Sequence, residues 1–487
     1  MNLVNDPWIP VIGTDNRPRL ASLTDIFQDG DGLADLAANP CQRIALMRLL
    51  ICIAQAALDG PADEDDWRAC RPRLAPAALA YLEKWQHRFN LFGDHAFLQV
   101  DGLDPNSNAL ADKLDFTLAC GNNPTLFDHG AIPDGRIQGD AMLAVSLLVY
   151  QMFSCGGTFS TTVWNDLPTP PNGVRRAPCV EEAMAHTLLR GRDIVETVHM
   201  NLITGEQVGS LPNMGRGRPC WEESRLDRKN LKKHTTTLLG RLVPVSRAIR
   251  LDNDSPAIVL GEATQYPQLP EQRDPFGTVY DTGKTRIGKS TSLTYLSVNP
   301  EAAAWRELAS ILSLQTLDSA IGTVGALNLA HLRTADAGVF DVWIGGLAVE
   351  QAKVIDMCEW SFTLPTSLLD SLLLRRYRTG VEWANNAKQT LTNAVKCFAK
   401  VQKRDPGIWR QQAESLFWSF MDANAHVLPG SVDSDRALNE KWDPIIRSAF
   451  LTAYERTCPH ETPRQIQAYA QGWKIIESWR GERAHGA

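Results

Sequence analysis

Four long amphipathic segments fill the C-terminal part of the chain, and they constrain its fold more than any other feature. Apolar residues recur in each segment at the spacing of one helix face, and the connections between segments are short. Helices of this kind bury their apolar faces against one another, and short connections make successive helices antiparallel neighbours. Residues 366–487 are therefore predicted to form a four-helix bundle. The segments are 367–401, 406–428, 441–458 and 462–481.

The first 365 residues lack a single repeating pattern. Apolar runs with the helical period alternate with short runs typical of strands, and long stretches rich in Asn, Asp, Pro and Gly separate them. The predicted strands are 8–12, 96–100 and 291–298, and the predicted helices are 40–59, 74–90, 141–153 and 181–190. We therefore predict an α+β protein, in which a large mixed α/β N-terminal domain with long loops, residues 1–365, precedes the bundle.

Composition argues against several classes of protein. The N-terminus lacks the basic and apolar regions of a secretory signal, and the longest apolar runs, 44–58 and 141–153, are shorter than a membrane span. The ten cysteines include no CxxC pair, which argues against a zinc site and favours a reducing compartment. We therefore expect a cytoplasmic protein that has no membrane attachment, no metal and no other cofactor.

The charge of the chain is unevenly distributed. Its net charge is −7, whereas free-standing nucleic-acid binders are usually basic. Residues 213–250 nevertheless carry ten Arg and Lys residues against three acidic ones. Such a run is either a solvated face or a surface that docks a polyanion or an acidic partner. The ten bases are Arg216, Arg218, Arg225, Arg228, Lys229, Lys232, Lys233, Arg241, Arg247 and Arg250.

The stretch GKTRIGKS, Gly283–Ser290, matches the phosphate-binding pattern G-x-x-x-x-G-K-[ST]. That pattern works only between a buried strand and a helix that begins at the Lys-Ser pair. Here the following residues, 291–298, predict a strand instead. A P-loop ATPase or phosphotransferase remains the alternative function, but a glycine-rich loop carrying Lys284, Arg286 and Lys289 is the better description. No G-x-S-x-G or H-E-x-x-H motif occurs, so nothing else indicates catalysis.

Several stretches resemble, in the same order and spacing, the large subunit (CasA family) of the type I-E CRISPR Cascade surveillance complex. The resemblance covers essentially the whole chain and includes the C-terminal bundle. It implies a subunit without catalytic activity that reads the protospacer-adjacent motif of double-stranded DNA from the minor groove. It also implies help in strand separation and in recruiting a helicase–nuclease, with the other Cascade subunits and their guide RNA as partners. The stretches are MNLVNDPWIPV (1–11), LLRGRDIVETVHMNL (188–202), RLVPVSRAIRL (241–251), RDPFGTVYD (273–281) and WIGGLAVEQAKVID (343–356).

Two loops of this family match specific residues here. The family's glycine-rich loop matches Cys155, Gly156, Gly157 and Thr158, and a glycine backbone can approach the floor of a groove closely. A helix C-cap is the alternative explanation of these glycines, and both can hold at once. The family's lysine loop matches 281–286, where Lys284 is the best candidate and Arg286 lies beside it; a flexible cation suits the negative minor groove.

The family's wedge, a short hairpin tip with a glutamine, matches GGLAVEQAK at 345–353. Gln351 falls at the wedge glutamine and Ala352 follows it; an ordinary hairpin turn is the alternative. Val349 and Glu350 depart from the family pattern, and Glu350 would face phosphates unfavourably.

The loop 121–136 matches the segment that reaches toward the guide RNA and the backbone subunits. Phe127 is the candidate docking aromatic, and Asp128 and His129 replace more familiar neighbours; the alternative is a disordered loop with one buried Phe.

The sequence is thus compatible with three functions. The first is a DNA-recognition subunit without catalytic activity, the second is the P-loop enzyme, and the third is a structural scaffold whose bundle binds protein partners.

Overall fold

The protein, described by a computed structural model, divides into two compact units. The structure describes residues 1–118, 139–170, 172–173, 176–284, 291–314, 323–334, 338–350 and 353–479. Unit 1 consists of Met1–Glu301, Leu314–Asp336 and Phe340–Thr363, and unit 2 consists of Ala302–Ser313, Ala337–Val339 and Leu364–Ala487. Two short pieces that the sequence places before the bundle, 302–313 and 337–339, therefore cluster with unit 2. The functional division at residues 365 and 366 stays a prediction.

Unit 1 combines helices and small sheets around one large hydrophobic core. Its helices are α1 (Leu23–Gln28), α2 (Pro40–Leu58), α3 (Glu64–Trp85), α4 (Asp140–Phe153), α5 (Ile194–Met200), α6 (Gly205–Gly209), α7 (Arg228–His234) and α8 (Leu238–Leu242). Its strands are β1 (Ile9–Gly13), β2 (Pro18–Ala21), β3 (Leu33–Leu36), β4 (Ala109–Leu110), β5 (Gly157–Thr158), β6 (Val163–Trp164), β7 (Leu167–Pro168), β8 (Asn172–Gly173), β9 (His186–Arg190), β10 (Arg247–Leu251), β11 (Ala257–Glu262), β12 (Val279–Asp281), β13 (Leu293–Tyr295), β14 (Thr323–Val324), β15 (Val339–Glu350) and β16 (Lys353–Pro365).

The strands form small sheets rather than one continuous sheet. Arg247 on β10 lies opposite Glu262 on β11, and Val279 on β12 lies opposite Tyr295 on β13, both in antiparallel register. Over the described ranges the strand orders are β2-β1-β3, β10-β11-β4, β13-β12-β14, β16-β15-β9, β5-β8 and β6-β7.

Helix α2 lies in the core of unit 1. Asn39 caps its N-terminus, and Pro40 occupies its first turn, where a missing N–H costs nothing. The helix is longer than the apolar run 44–58, and by length and hydropathy alone it is sufficient to cross a membrane. However, 72% of its most apolar stretch is buried inside the protein, as in the core helix of a globular protein.

An ion pair is buried along the same helix. Arg48 and Asp274 lie 3.0 Å apart, from Nη2 to Oδ2, and both side chains are inaccessible to solvent. Burial alone would raise the pKa of Asp274, but the Arg48 guanidinium holds that pKa below its ordinary range. The pair links α2 to the segment that leads into β12.

Three predicted elements differ from the structure. The strand predicted over 96–100 is wrong, because Leu98 has a φ of +53° and the chain turns there. The second helix begins earlier than predicted, at Glu64, because Asp63 accepts a hydrogen bond from the Asp66 N–H and caps it. The helix predicted over 181–190 is also wrong, since His186–Arg190 forms β9 and pairs with β15.

Unit 2 contains the predicted four-helix bundle. Helix α10 packs against α11, α13 and α14, and α11 packs against α13. Asp370 caps α10, and Thr462 forms a capping box at the start of α14. The α+β class and the C-terminal bundle are therefore confirmed. The helices of unit 2 are α9 (Leu308–Ile311), α10 (Ser371–Gln402), α11 (Gly407–Asn424), α12 (Asp435–Ala437), α13 (Asp443–Thr457) and α14 (Pro463–Ser478).

Candidate nucleic-acid interface

The loop after α4 carries the predicted glycine pair. Ser154 is the C-cap residue of the helix, and neither it nor Cys155, the next residue, has a positive φ, so the helix does not end on a left-handed glycine. Gly156 and Gly157 follow with φ values of 83° and 119°, a region that residues with side chains rarely adopt. A Cβ added at Gly157 would meet no atom within 4 Å. The glycines thus shape an open loop rather than closing the helix.

Backbone pairing fixes one side of this loop. Gly157 and Thr158 form β5, which pairs with β8 so that Gly157 lies opposite Gly173. Cys155 precedes the glycine pair and is half-buried, and burial raises the pKa of its thiol to about 11. The thiol is therefore protonated at neutral pH, and a protonated thiol is a poor nucleophile.

A buried arginine supports the same loop from below. Arg247 donates from Nε to the Ser154 hydroxyl oxygen over 2.9 Å, and the Ser154 carbonyl accepts from the Ala177 N–H over 2.8 Å. The Arg247 guanidinium also lies 3.1 Å from the Glu262 carboxylate and 5.2 Å from the centroid of the Phe159 ring. This support was not predicted as part of the site, because Ser154 and Arg247 are far apart in sequence.

Lys284 lies on the hairpin that joins β12 to β13. The Asp281 carboxylate accepts the Gly283 N–H over 2.8 Å, and the Thr282 hydroxyl donates to the Lys284 carbonyl over 2.7 Å. Gly283 has a φ of 67°, and the Lys284 side chain is exposed. These contacts order the start of the turn and leave the cation in solvent.

The same hairpin bears on the phosphate-loop alternative. After Gly283–Ser290 the chain enters β13, which runs antiparallel to β12. A phosphate-binding loop needs a helix at this point, with its N–H groups directed at the phosphates. The predicted strand is confirmed at Leu293–Tyr295, and the described residues on either side of the loop provide no such helix. Arg286 and Lys289 lie outside the described residues.

The wedge segment lies at the end of a long hairpin rather than a short one. Strand β15 has 12 residues and ends at Glu350, and strand β16 has 13 residues and begins at Lys353. Val349 and Val354 pack against the core, whereas Glu350 and Lys353 are exposed. The hairpin is therefore anchored up to its last described residues. Gln351 and Ala352, and the loop residues Phe127, Asp128 and His129, lie outside the described part of the chain.

His186 joins the three candidate elements. It pairs with Gly345 on β15, below the wedge, and forms a bridge with Gly277, which precedes β12 and the lysine hairpin. Its imidazole also lies 5.8 Å from the ring of Phe153, the last residue before the glycine loop begins. The side chain is completely buried, and burial lowers its pKa to about 4, so it is neutral at physiological pH. No sequence pattern singled out this residue.

The basic run over 213–250 separates into groups with different roles. Arg241 and Arg247 are buried inside unit 1. Arg216, Arg218 and Arg228 donate to carbonyl or carboxylate oxygens of the protein. Half of the run therefore makes contacts within the protein, although Arg218 stays exposed while it pairs with Glu223. The exposed bases are Arg218, Arg225, Lys229, Lys232, Lys233 and Arg250.

The described residues contain no group of three or more His, Cys, Asp or Glu side chains that could hold a metal ion. The three elements provide a glycine backbone, an exposed cation and a hairpin end, and backbone groups and cations of this kind suit phosphate and groove contacts.

Comparison with known proteins agrees with the resemblance. The family model described as CRISPR-associated protein Cse1 matches residues 2–453. The chain belongs to the CRISPR-associated Cse1 family. The CRISPR-associated protein CasA/Cse1 of Thermus thermophilus is 27% identical over 526 aligned residues, which cover 99% of this Cse1-family chain and 97% of that relative.

Solved structures share the fold of this Cse1-family chain. Thermobifida fusca Cse1 superposes with a TM-score of 0.82 at 21% identity, over 99% of this chain and 98% of that one. A chain of a CRISPR RNA-guided surveillance complex superposes with a TM-score of 0.75 at 18% identity, over 98% and 99% of the two chains. The fold is thus the Cse1 fold over nearly the full length.

Proposed function

We propose that this Cse1-family chain is a large subunit of an RNA-guided surveillance complex, without catalytic activity of its own, and that it recognises the short motif beside the target in double-stranded DNA. Its partners are the other Cascade subunits with their guide RNA, the target duplex and a helicase–nuclease that it helps to recruit. One observation carries the proposal: the glycine loop is open at Gly157 while its root is held by a buried arginine. A rigid and side-chain-free backbone is what close approach to a groove floor requires.

The minor groove is the side of the duplex that these groups fit. A glycine backbone is thin enough to enter it, and its N–H and C=O groups can test for the guanine amino group. Lys284 adds a flexible cation that suits the negative potential of the groove. Because both features belong to unit 1 and their roots meet at His186, one duplex can engage them together.

The β15–β16 hairpin is proposed to assist strand separation, with Gln351 as the contacting residue and Ala352 beside it. Unstacking a base step costs a few kcal/mol, which guide pairing offsets. Because Val349 and Val354 pack against the core, the end of the hairpin can keep its position while it separates the bases. Phe127, with Asp128 and His129, is proposed to dock on the guide RNA or the backbone subunits.

The decisive experiment measures binding of a labelled target duplex to the guide-RNA complex, assembled with and without this chain, at one stated salt concentration. The bases beside the target are randomised. We expect the chain to tighten binding for particular flanking bases only, and we expect Gln351→Ala to weaken binding while the complex still assembles. If the chain joins the complex but binding is the same for every flanking sequence, it is a scaffold rather than a reader.

A further inference from the structure

Helix α7 presents a row of lysines that the proposed function does not use. Lys229, Lys232 and Lys233 are exposed and lie at relative positions i, i+3 and i+4, which places them on one face of the helix. The opposite face is buried through Leu231 and His234. The helix is therefore fixed in rotation, and its lysine face points away from the protein.

The three lysines have no counter-charge within the described residues. Lys229 and Lys232 make no ion pair with any residue of the described ranges, and Lys233 donates to the Asn230 side-chain oxygen over 3.1 Å. The nearest carboxylate in sequence, Asp227, accepts from the Asn230 N–H as the helix cap. The row thus has an excess of positive charge that the described part of the chain does not neutralise.

This arrangement is unfavourable for the helix itself. Like charges at i, i+3 and i+4 repel each other by a few tenths of a kcal/mol per pair. Lys229 also lies in the first turn, where the partial positive charge of unpaired N–H groups disfavours a cation, whereas Lys232 and Lys233 lie in the last turn, where the helix dipole favours one. Stability of the helix therefore does not explain Lys229 or the repulsion within the row, and an external polyanion would relieve both effects.

Helix α7 is tied to the segment that follows the glycine loop. Arg228 lies over the Trp164 ring, 4.9 Å from its centroid, and donates to the carbonyls of Leu167 and Pro168 over 3.1 and 3.3 Å. Since Trp164 is seven residues after Gly157 in sequence, their Cα atoms are at most about 25 Å apart. The glycine loop and the residue that Arg228 of α7 contacts therefore lie closer together than one turn of a B-form duplex, about 34 Å.

We propose that Lys229, Lys232 and Lys233 form a contact surface for the phosphate backbone of the duplex that flanks the target motif. This rests on the proposed function, because the glycine loop must receive the same duplex. Lysine is a flexible point charge that holds phosphate without reading bases, and it is depleted in the cores of protein–protein interfaces. The surface therefore strengthens binding equally for every flanking sequence.

The test compares two triple variants in the assembled guide-RNA complex. One is Lys229→Gln with Lys232→Gln and Lys233→Gln. The control, Lys396→Gln with Lys400→Gln and Lys474→Gln, removes the same charge from exposed positions on α10 and α14. Duplex affinity is measured over a series of salt concentrations, and the slope of log K against log salt changes by about 0.9 for each lost phosphate contact.

We expect the α7 variant to reduce this slope by about 1 to 3 while the preference among flanking bases is unchanged. The control keeps the wild-type slope, and a duplex shortened on the flanking side removes the difference between variant and wild type. An equal loss in both variants, an unchanged slope in the α7 variant, or failure of the α7 variant to join the complex would overturn the proposal. A wild-type complex without base preference would instead contradict the proposed function.

Discussion

The imidazole of His186 lies 5.8 Å from the ring of Phe153, and this contact joins the strand beneath the wedge hairpin to the helix that leads into the glycine loop. His186 is completely buried and neutral. The three elements proposed to contact DNA therefore share a junction whose packing depends on an uncharged histidine.

Acid should weaken this junction. Burial lowers the pKa of His186 to about 4, whereas the same group in the unfolded chain titrates near about 6.5. Between these values the unfolded chain binds a proton that the folded chain does not, so the free energy of unfolding falls as the pH drops from about 6.5 to about 4. His186 accounts for at most about 3 kcal/mol of that fall.

The pH effect is measured by chemical denaturation of wild type and His186→Leu across this range. We expect the free energy of unfolding of the variant to depend less steeply on pH than that of wild type. Some pH dependence remains, because burial also lowers the pKa values of His199 and His234. His426→Leu, at an exposed position, serves as the control and should follow wild type. Parallel curves for wild type and His186→Leu would show that His186 has the same pKa in the folded and the unfolded chain.

A second prediction concerns the buried pair of Arg247 and Glu262. Removing one member leaves the other charge buried, so Glu262→Leu should lower the free energy of unfolding by about 3–5 kcal/mol. The double variant Arg247→Met with Glu262→Leu should lose less than the sum of the two single changes. Denaturant titration of wild type, the two single variants and the double variant completes this double-mutant cycle. Strictly additive losses in the free energy of unfolding would mean that the two side chains are not coupled.

Gly157→Ala tests the glycine loop. The new Cβ has no atom of the protein within 4 Å, so the only cost to the free chain is the backbone strain of a side chain at a φ of 119°. That strain lowers the free energy of unfolding by about 1–3 kcal/mol. Duplex binding should fall by tenfold or more (about 1.4 kcal/mol), because the methyl group occupies the space that the groove floor needs. Gly209→Ala, another position with open space, is the control and should bind normally. Wild-type affinity and base preference in Gly157→Ala would exclude close approach at this loop.

Lys284→Ala should weaken duplex binding and leave assembly of the complex intact. Loss of one exposed cation contact reduces the salt slope by about 1. Lys441→Ala, at an exposed position in the bundle, is the matched control. If Lys284→Ala and Lys441→Ala behave alike, the hairpin does not contact the duplex.

The wild-type chain should not bind Mg-ATP, because β13 replaces the helix that a phosphate loop requires. Calorimetric titration measures this directly. Saturable binding that Lys289→Ala abolishes would restore the enzyme hypothesis.

The bundle was predictable because its apolar residues repeat at helical spacing, and the core helix α2 because its nearly continuous apolar run is too long for a strand; both signals depend on local sequence. The helix predicted over 181–190 failed for the opposite reason. Its Glu, Ala, Met and Leu residues favour a helix, but pairing with β15 across the fold overrides that preference.

The support of the candidate site could not be predicted. Ser154, Arg247 and Glu262 meet only after folding, and Arg247 looked in the sequence like one more base of a solvated run. Its position inside the apolar stretch VPVSRAIRL was the available signal of burial. Gln351 and Phe127 still rest on the resemblance alone.

Gly157 also limits how this protein can diversify. At a φ of 119° with no side chain, every substitution adds bulk and strain together, so single changes there would weaken the proposed contact with the groove. On the proposed function, a change of base preference would have to come from neighbouring side chains, such as Lys284, while the glycine itself stays invariant. We therefore expect natural variation in base preference to accumulate around this loop and not within it.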